Sequence, residues 1–194
     1  MTTPKTINLN DWRDACYKNA VDHGWWEADR KWYEARVLIM SELAEALEEF
    51  RAGHNLALVK VPTKHWLDPA VNFDELIKRA RDSQKPEGFA VEIADVVIRI
   101  LDFAGKHAEG SYGRYDFSDV LSDAPAGYRD TAQAIDEACA CLYDSDHEAH
   151  ESCRQVLIHC FSIAAFAGFD LMKVVEIKHE YNKTRPYRHG GKKA

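Results

Sequence analysis

Ser41-Glu-Leu-Ala-Glu-Ala-Leu-Glu-Glu-Phe-Arg51 and, about forty residues further on, Phe89-Ala-Val-Glu-Ile-Ala-Asp-Val-Val-Ile-Arg-Ile-Leu-Asp102 are the two stretches on which the fold and the chemistry of this chain turn. Neither contains Gly or Pro, and their apolar residues return at the three- and four-residue intervals of a helix. Each carries an acidic pair at i,i+3, Glu42/Glu45 and Glu92/Asp95, so two carboxylates share one helix face a turn apart. The pairs fall among Leu, Ile, Val and Ala, on the sides that should be buried. Like charges at that spacing repel, and four acidic groups converging away from water are costly unless a multivalent cation neutralises them. All-oxygen ligation of this kind suits hard cations, Mg2+ first and Mn2+ second. One acidic pair alone is an ordinary helix-surface feature. Glu48 and Glu49, which continue the first stretch, read as solvent-facing.

Working outward, every other periodic segment is helical as well. Asn10 or Asp11 is placed to cap a first helix that runs to about His23 and stops at Gly24. A second spans about Ala28 to Arg51. Residues 54–72 read as a loop or short hairpin, and Asn72 or Asp74 opens a short helix to about Ser83. Pro86 is suited to be the first residue of a third long helix ending near His107. That helix is apolar on more than one side, the mark of a central element. A Gly-, Ser-, Asp- and Pro-rich loop over 109–127 precedes helices at about Tyr128–Tyr143 and Asp146–Ala167. Gly168 breaks the latter, and Asp170 starts a last helix to about Lys183. The expected fold is all-α, a single domain over 1–194 built as a helical bundle with antiparallel neighbours.

At 194 residues and 46% hydrophobic content the chain can bury one substantial core. Its net charge of −7 argues against a general nucleic-acid binder, and no stable nucleic-acid binding is expected. The charge is uneven: residues 178–194 carry a net +5, so the remainder sums to −12. A basic tail on an acidic body can bind nucleic acid or hold a polyphosphate over a metal site. Pro186 and two glycines interrupt the tail, which weakens the former. The N-terminal sequence has no signal-like apolar run, and no segment has the length of a membrane span. Five cysteines, an odd number, fit reduced thiols, so a cytoplasmic location is expected.

The two quoted stretches, ExxE followed by ExxD on a second helix, resemble the MazG-like all-α nucleoside triphosphate pyrophosphohydrolases, a superfamily that includes the dimeric dUTPases and the dCTP pyrophosphatases. The run Glu180-Tyr-Asn-Lys-Thr-Arg-Pro-Tyr-Arg-His-Gly-Gly-Lys192 is similar to the ending of many MazG-like proteins. The likeness covers roughly 30–52, 86–107 and 168–192. Against that pattern 53–85 and 109–165 look like insertions that reshape the base pocket or the oligomer interface.

The resemblance implies Mg2+-dependent hydrolysis of a (deoxy)nucleoside triphosphate to the monophosphate and pyrophosphate, a house-cleaning or nucleotide-pool activity. Glu42, Glu45, Glu92 and Asp95 would bind Mg2+, with Mn2+ a possible substitute. Glu42 or Glu45 would orient or deprotonate the attacking water. Lys178 and Asn182, four apart on the last helix, would face a phosphate or sugar. Lys183, Arg185, Arg188 and Lys192 would clamp phosphates, with Tyr187 and His189 adding hydrogen bonds. Trp26, with Trp25, Trp32 and Trp66 as alternatives, would offer an aromatic face to the base, although each serves equally well as a core or interface aromatic. A homodimer or homotetramer is implied.

Some features point elsewhere. Asp102 is either an outer partner of the ligand set or an ion-pair partner of Arg99. His147, His150 and Cys153 have zinc-like spacing but sit at a helix start, where polar residues are normal. The cysteines among Ala, Leu and Ile read as inert core thiols. Glu176-Ile-Lys-His179 matches the ExxH of di-iron bundles without the second copy they need. Two competing readings stand beside the hydrolase: a non-catalytic nucleotide- or metal-binding regulatory protein of the same fold, and a purely structural helical assembly protein. The nucleobase and the sugar are left open.

Overall fold

The computed structural model describes residues 8–62, 65–108, 114–120, 127–144 and 148–191. Among them lie helices α1 (Leu9–Asp22), α2 (Trp32–Arg51), α3 (Phe73–Arg81), α4 (Phe89–Ala108), α5 (Thr131–Tyr143), α6 (Ala149–Ala167), α7 (Leu171–Lys183) and the single turn α8 (Arg188–Gly191). A two-stranded antiparallel hairpin, β1 (Val59–Val61) with β2 (His65–Leu67), pairs Lys60 with Trp66 and is the only sheet among the described residues. The fold is all-α, as the periodicity predicts. No single described helix is long and apolar enough to cross a membrane.

α4 is the central element. Thirteen of its twenty residues are buried, and α1, α2, α6 and α7 all pack on it. α3 lies against α7, and α5 bridges α6 and α2. At Gly105 a Cβ would stand 2.4 Å from that of Tyr17. The missing side chain lets α1 lie directly on α4.

Several helix starts differ from the sequence expectation, each for a visible reason. α1 is capped by Asn8, whose Oδ1 accepts from the N–H groups of Asn10 and Asp11. Asn10 is occupied instead with Asp116 and the Phe117 N–H, tying the 114–120 segment to α1. α2 begins at Trp32 rather than Ala28, where Glu34 reaches back to the Lys31 N–H at 2.7 Å. Pro86 is not the first turn of α4. Glu87 exchanges two backbone hydrogen bonds with Lys60, at 2.8 and 2.9 Å, adding an edge to the hairpin. Gly88, at φ +115, then turns the chain into the helix. α5 starts at Thr131, not Tyr128, because Asp130 caps it through the Gln133 N–H. α6 starts at Ala149. The Gly168 stop and the Asp170 cap stand where the sequence puts them.

Candidate metal centre and cavity

One cavity of about 400 Å3 runs between α1, α2, α4 and α7, in the size range of small-molecule sites. α4 supplies its spine: Glu92, Asp95, Ile98, Arg99 and Asp102 all line it. α2 contributes Leu38, Ser41, Glu42 and Glu45, and α7 contributes Lys178 and Asn182.

Glu42, Glu92 and Asp95 bring carboxylate oxygens within 4.8 Å of one another. Glu42 and Glu92 are buried, as are Ile39, Leu43, Ile93 and Val96 near them in sequence. Burial, with Asp95 adding like charge, raises the Glu92 carboxyl to about 8. Burial also raises Glu42, against the pull of Arg99. The set is hard, anionic and strained by its own charge, which is the chemistry a divalent cation relieves, so the residues present fit such an ion. Glu45, the fourth expected ligand, lines the same cavity three residues on from Glu42 but is exposed and lies outside the trio.

Two cations already balance part of this charge. Arg99 donates from Nε to Glu42 Oε1 at 2.6 Å. Lys178 Nζ stands 2.6 Å from Asp95 Oδ2 with its side chain 4% exposed. Burial alone would lower Lys178, but Asp95, Glu92 and Glu42 together hold it above its ordinary value. Arg185 lines the cavity and lies over the Tyr181 ring, and Lys85 enters from the segment before α4.

The tail residues divide. Lys178, Asn182 and Arg185 reach the cavity wall. Lys183 does not: it pairs with Glu180 at 2.5 Å. Tyr187 and Arg188 do not either. The Tyr187 hydroxyl donates to Glu27, and Arg188 pairs with the same carboxylate at 2.5 Å while its N–H reaches the His23 carbonyl. They fasten the tail to the α1–α2 turn, which brings His189 onto the cavity. Lys192 lies outside the described residues, as does His147.

Trp26 is also displaced from its expected place. It is Trp25 that lines the cavity. Trp26 stands behind the wall, donating from Nε1 to Asp102 Oδ1 at 2.6 Å beneath the Arg30 guanidinium. Asp102 is not the ion-pair partner of Arg99, which binds Glu42. Its partners are Trp26 and, at 3.8 Å, Arg30. Burial raises the Asp102 carboxyl to about 7, with Trp26 and Arg30 pulling the other way.

Of the zinc-like and di-iron-like spacings, Cys153, His150 and His179 lie within the described residues. Cys153 is fully buried, His150 lies 3.5 Å from Glu148, and His179 packs edge-on to Trp12. All five cysteines are free, and burial pushes the thiols of Cys16, Cys153 and Cys160 well up. Sequence reasoning missed Arg30 and Lys85, and of the two roles it left open for Asp102 the pairing with Arg99 is not the one seen. Arg99 was findable, since it lies four after Asp95 and seven after Glu92, on the same helix face. Lys85 carries no local signal, because only the hairpin's pairing with Glu87 brings it there.

Comparison with protein-family models, with curated proteins and with solved structures gave no match.

Proposed function

We propose that this protein is a Mg2+-dependent nucleoside triphosphate pyrophosphohydrolase, cleaving a (deoxy)nucleoside triphosphate between its α- and β-phosphates. One observation carries the reading: Glu42, Glu92 and Asp95 converge to within 4.8 Å on a cavity whose walls also hold Lys178, Arg99 and Arg185. Anionic ligands for a cation and cationic ligands for a polyphosphate stand in one enclosure. The ExxE and ExxD resemblance supports the same conclusion.

Glu42, Glu92 and Asp95 would hold the cation, with Glu45 at the edge of the set. When bound, Mg2+, or Mn2+ in its place, neutralises polyphosphate charge and lowers the pKa of water. The rest of the chemistry falls to the chain. Lys178, Arg99 and Arg185 bind phosphate oxygens and stabilise the charge that builds on them. Glu45 is exposed at the cavity wall, whereas Glu42 is committed to Arg99. Glu45 is therefore the better placed to orient the water and take its proton. The water oxygen bonds to the α-phosphorus, the bond from that phosphorus to the α–β bridging oxygen breaks, and pyrophosphate leaves.

A second reading, a non-catalytic nucleotide- or metal-binding regulatory protein of the same fold, draws support from the ion pairs of Lys178 and Arg99. They make the cluster tolerable without a cation. A pyrophosphate-release assay over the four dNTPs and four NTPs with Mg2+ separates the two. Release from at least one nucleotide is expected. Binding with no release from any of the eight supports the regulatory protein and rejects the enzyme.

A further inference from the structure

The cavity has two chemically distinct ends, and the hydrolase reading uses only one of them. α4 carries cavity-lining residues from Glu92 to Asp102. The seven residues from Asp95 to Asp102 span about 10 Å of helix. That is comparable to the reach from a nucleotide's α-phosphate to the far edge of its base. We propose, on the premise that the cavity takes a nucleotide, that the end formed by Asp102, Arg30, Asn19, Trp25 and Asn182 reads the nucleobase, and that Asp102 is its specificity-determining residue.

The hydrogen-bonding state of these groups carries the assignment. Asp102 is buried, and Trp26 fixes one of its oxygens at 2.6 Å. Its other oxygen lies 3.8 Å from the Arg30 guanidinium, beyond hydrogen-bond length. An acceptor and a donor thus stand side by side on the cavity wall, each with capacity for a third partner. The Watson–Crick edge of a base presents the complementary pair, an N–H next to a ring nitrogen or carbonyl. Asn182 adds an independent sign. Its side chain is nine-tenths buried on the cavity wall, and its Oδ1 has no hydrogen-bond partner. A buried acceptor in that state has room for a donor, which a bound ligand can supply. Trp25 supplies a flat apolar surface beside them.

Charge fixes the direction of the bound molecule. Lys178, Arg99 and Arg185, with a cation held by Glu42, Glu92 and Asp95, would draw the phosphates to their end, whereas at the other end Asp102 offsets the charge of Arg30. Trp26 acts here as a positioning residue, holding Asp102 in one orientation from behind.

The test measures kcat/KM of the full chain for dATP, dGTP, dCTP and dTTP with Mg2+. It also measures binding of the four phosphate-free deoxynucleosides by calorimetry. Asp102→Asn, which preserves shape, should change the ratio between the best and worst dNTP by about tenfold or more, because buried polar readout discriminates strongly. It should weaken the tightest nucleoside by a similar factor. Trp26→Phe should shift the same ratio less, and thermal melts confirm that each variant is folded. Where dNTPs turn over, a uniform change across all four, or none, overturns the assignment of Asp102 and leaves the hydrolase standing. Where neither these nor the four NTPs turn over, nucleoside binding decides. Asp102-dependent binding keeps the base site while the hydrolase falls, and its absence removes both.

Discussion

Glu92 and Asp102 sit about three turns apart on the same helix. Both are buried carboxyl groups raised far above the ordinary carboxylate range, yet they are held in opposite ways. Glu92 faces Asp95 and Glu42, and no ion pair or hydrogen bond restrains it among the described residues. Asp102 is gripped by an indole N–H and faced by a guanidinium. The difference teaches what each can be for. A carboxyl set against two others, with Lys178 the cation acting on it, has room for a mobile cation. One fixed by neutral and cationic donors is already oriented, and what it has left is a lone pair to offer.

The sharpest way to break this contrast is Glu92→Gln. Loss of a charge from the cluster should cut pyrophosphate release by roughly 10³-fold, the scale of losing a principal electrostatic contact. The same variant should raise the melting temperature of the metal-free protein at pH 8, because a repelling carboxylate is gone. Full turnover in Glu92→Gln would refute the metal centre. Next in size is Lys178→Ala. Removing one partner of a buried ion pair should cost about 3 kcal/mol in urea unfolding without metal. Excess Mg2+ should recover part of that loss by supplying the missing positive charge. No recovery would mean that the ion does not share the Asp95 site.

The contrast also predicts a pH response. In the folded protein Glu92 keeps its proton up to about 8 and Asp102 to about 7, whereas both ionise near 4 once unfolded. The unfolded state therefore releases protons first. The stability these two groups contribute to the metal-free protein should be full below about pH 4 and should fall as the pH rises toward 8. The slope is at most about 1.4 kcal/mol per pH unit for each group. A double variant, Glu92→Gln with Asp102→Asn, should flatten the curve. A stability that instead rises from pH 5 to 8 would contradict the raised titration of both. The smallest effect is expected of Arg188→Ala. Its pair with Glu27 is largely exposed, so thermal melting should register less than about 1 kcal/mol.

How much of this was legible beforehand varied with the kind of signal. The all-round apolar character of 89–104 announced a central helix, and that is what α4 is. Gly168 and Asp170 marked a helix stop and start because their effects are local. Pro86 misled for the converse reason. Its segment is claimed by a backbone pairing with Lys60, twenty-six residues earlier, and nothing in the flanking sequence advertises that partner. At the site, spacing put Glu42, Glu92 and Asp95 on inward faces. It could not tell that Glu45 would stand exposed at the cavity wall, because an i,i+3 step covers an angle wide enough to leave a narrow contact. Trp25 and Trp26 are neighbours in a turn, where helical periodicity says nothing about which ring faces the cavity. Arg30 reaches Asp102, and Lys85 the cavity, only through the packing of separate elements.

Under the proposed function, Lys178 and Arg99 have a consequence for the protein without its cation. Proteins whose ligand atoms have no other partner unfold when a chelator strips the ion. Here an ammonium and a guanidinium from the chain itself stand against two of the three clustered carboxylates. Chelation should then be a reversible exchange of one counter-charge for another, with the helices staying in place.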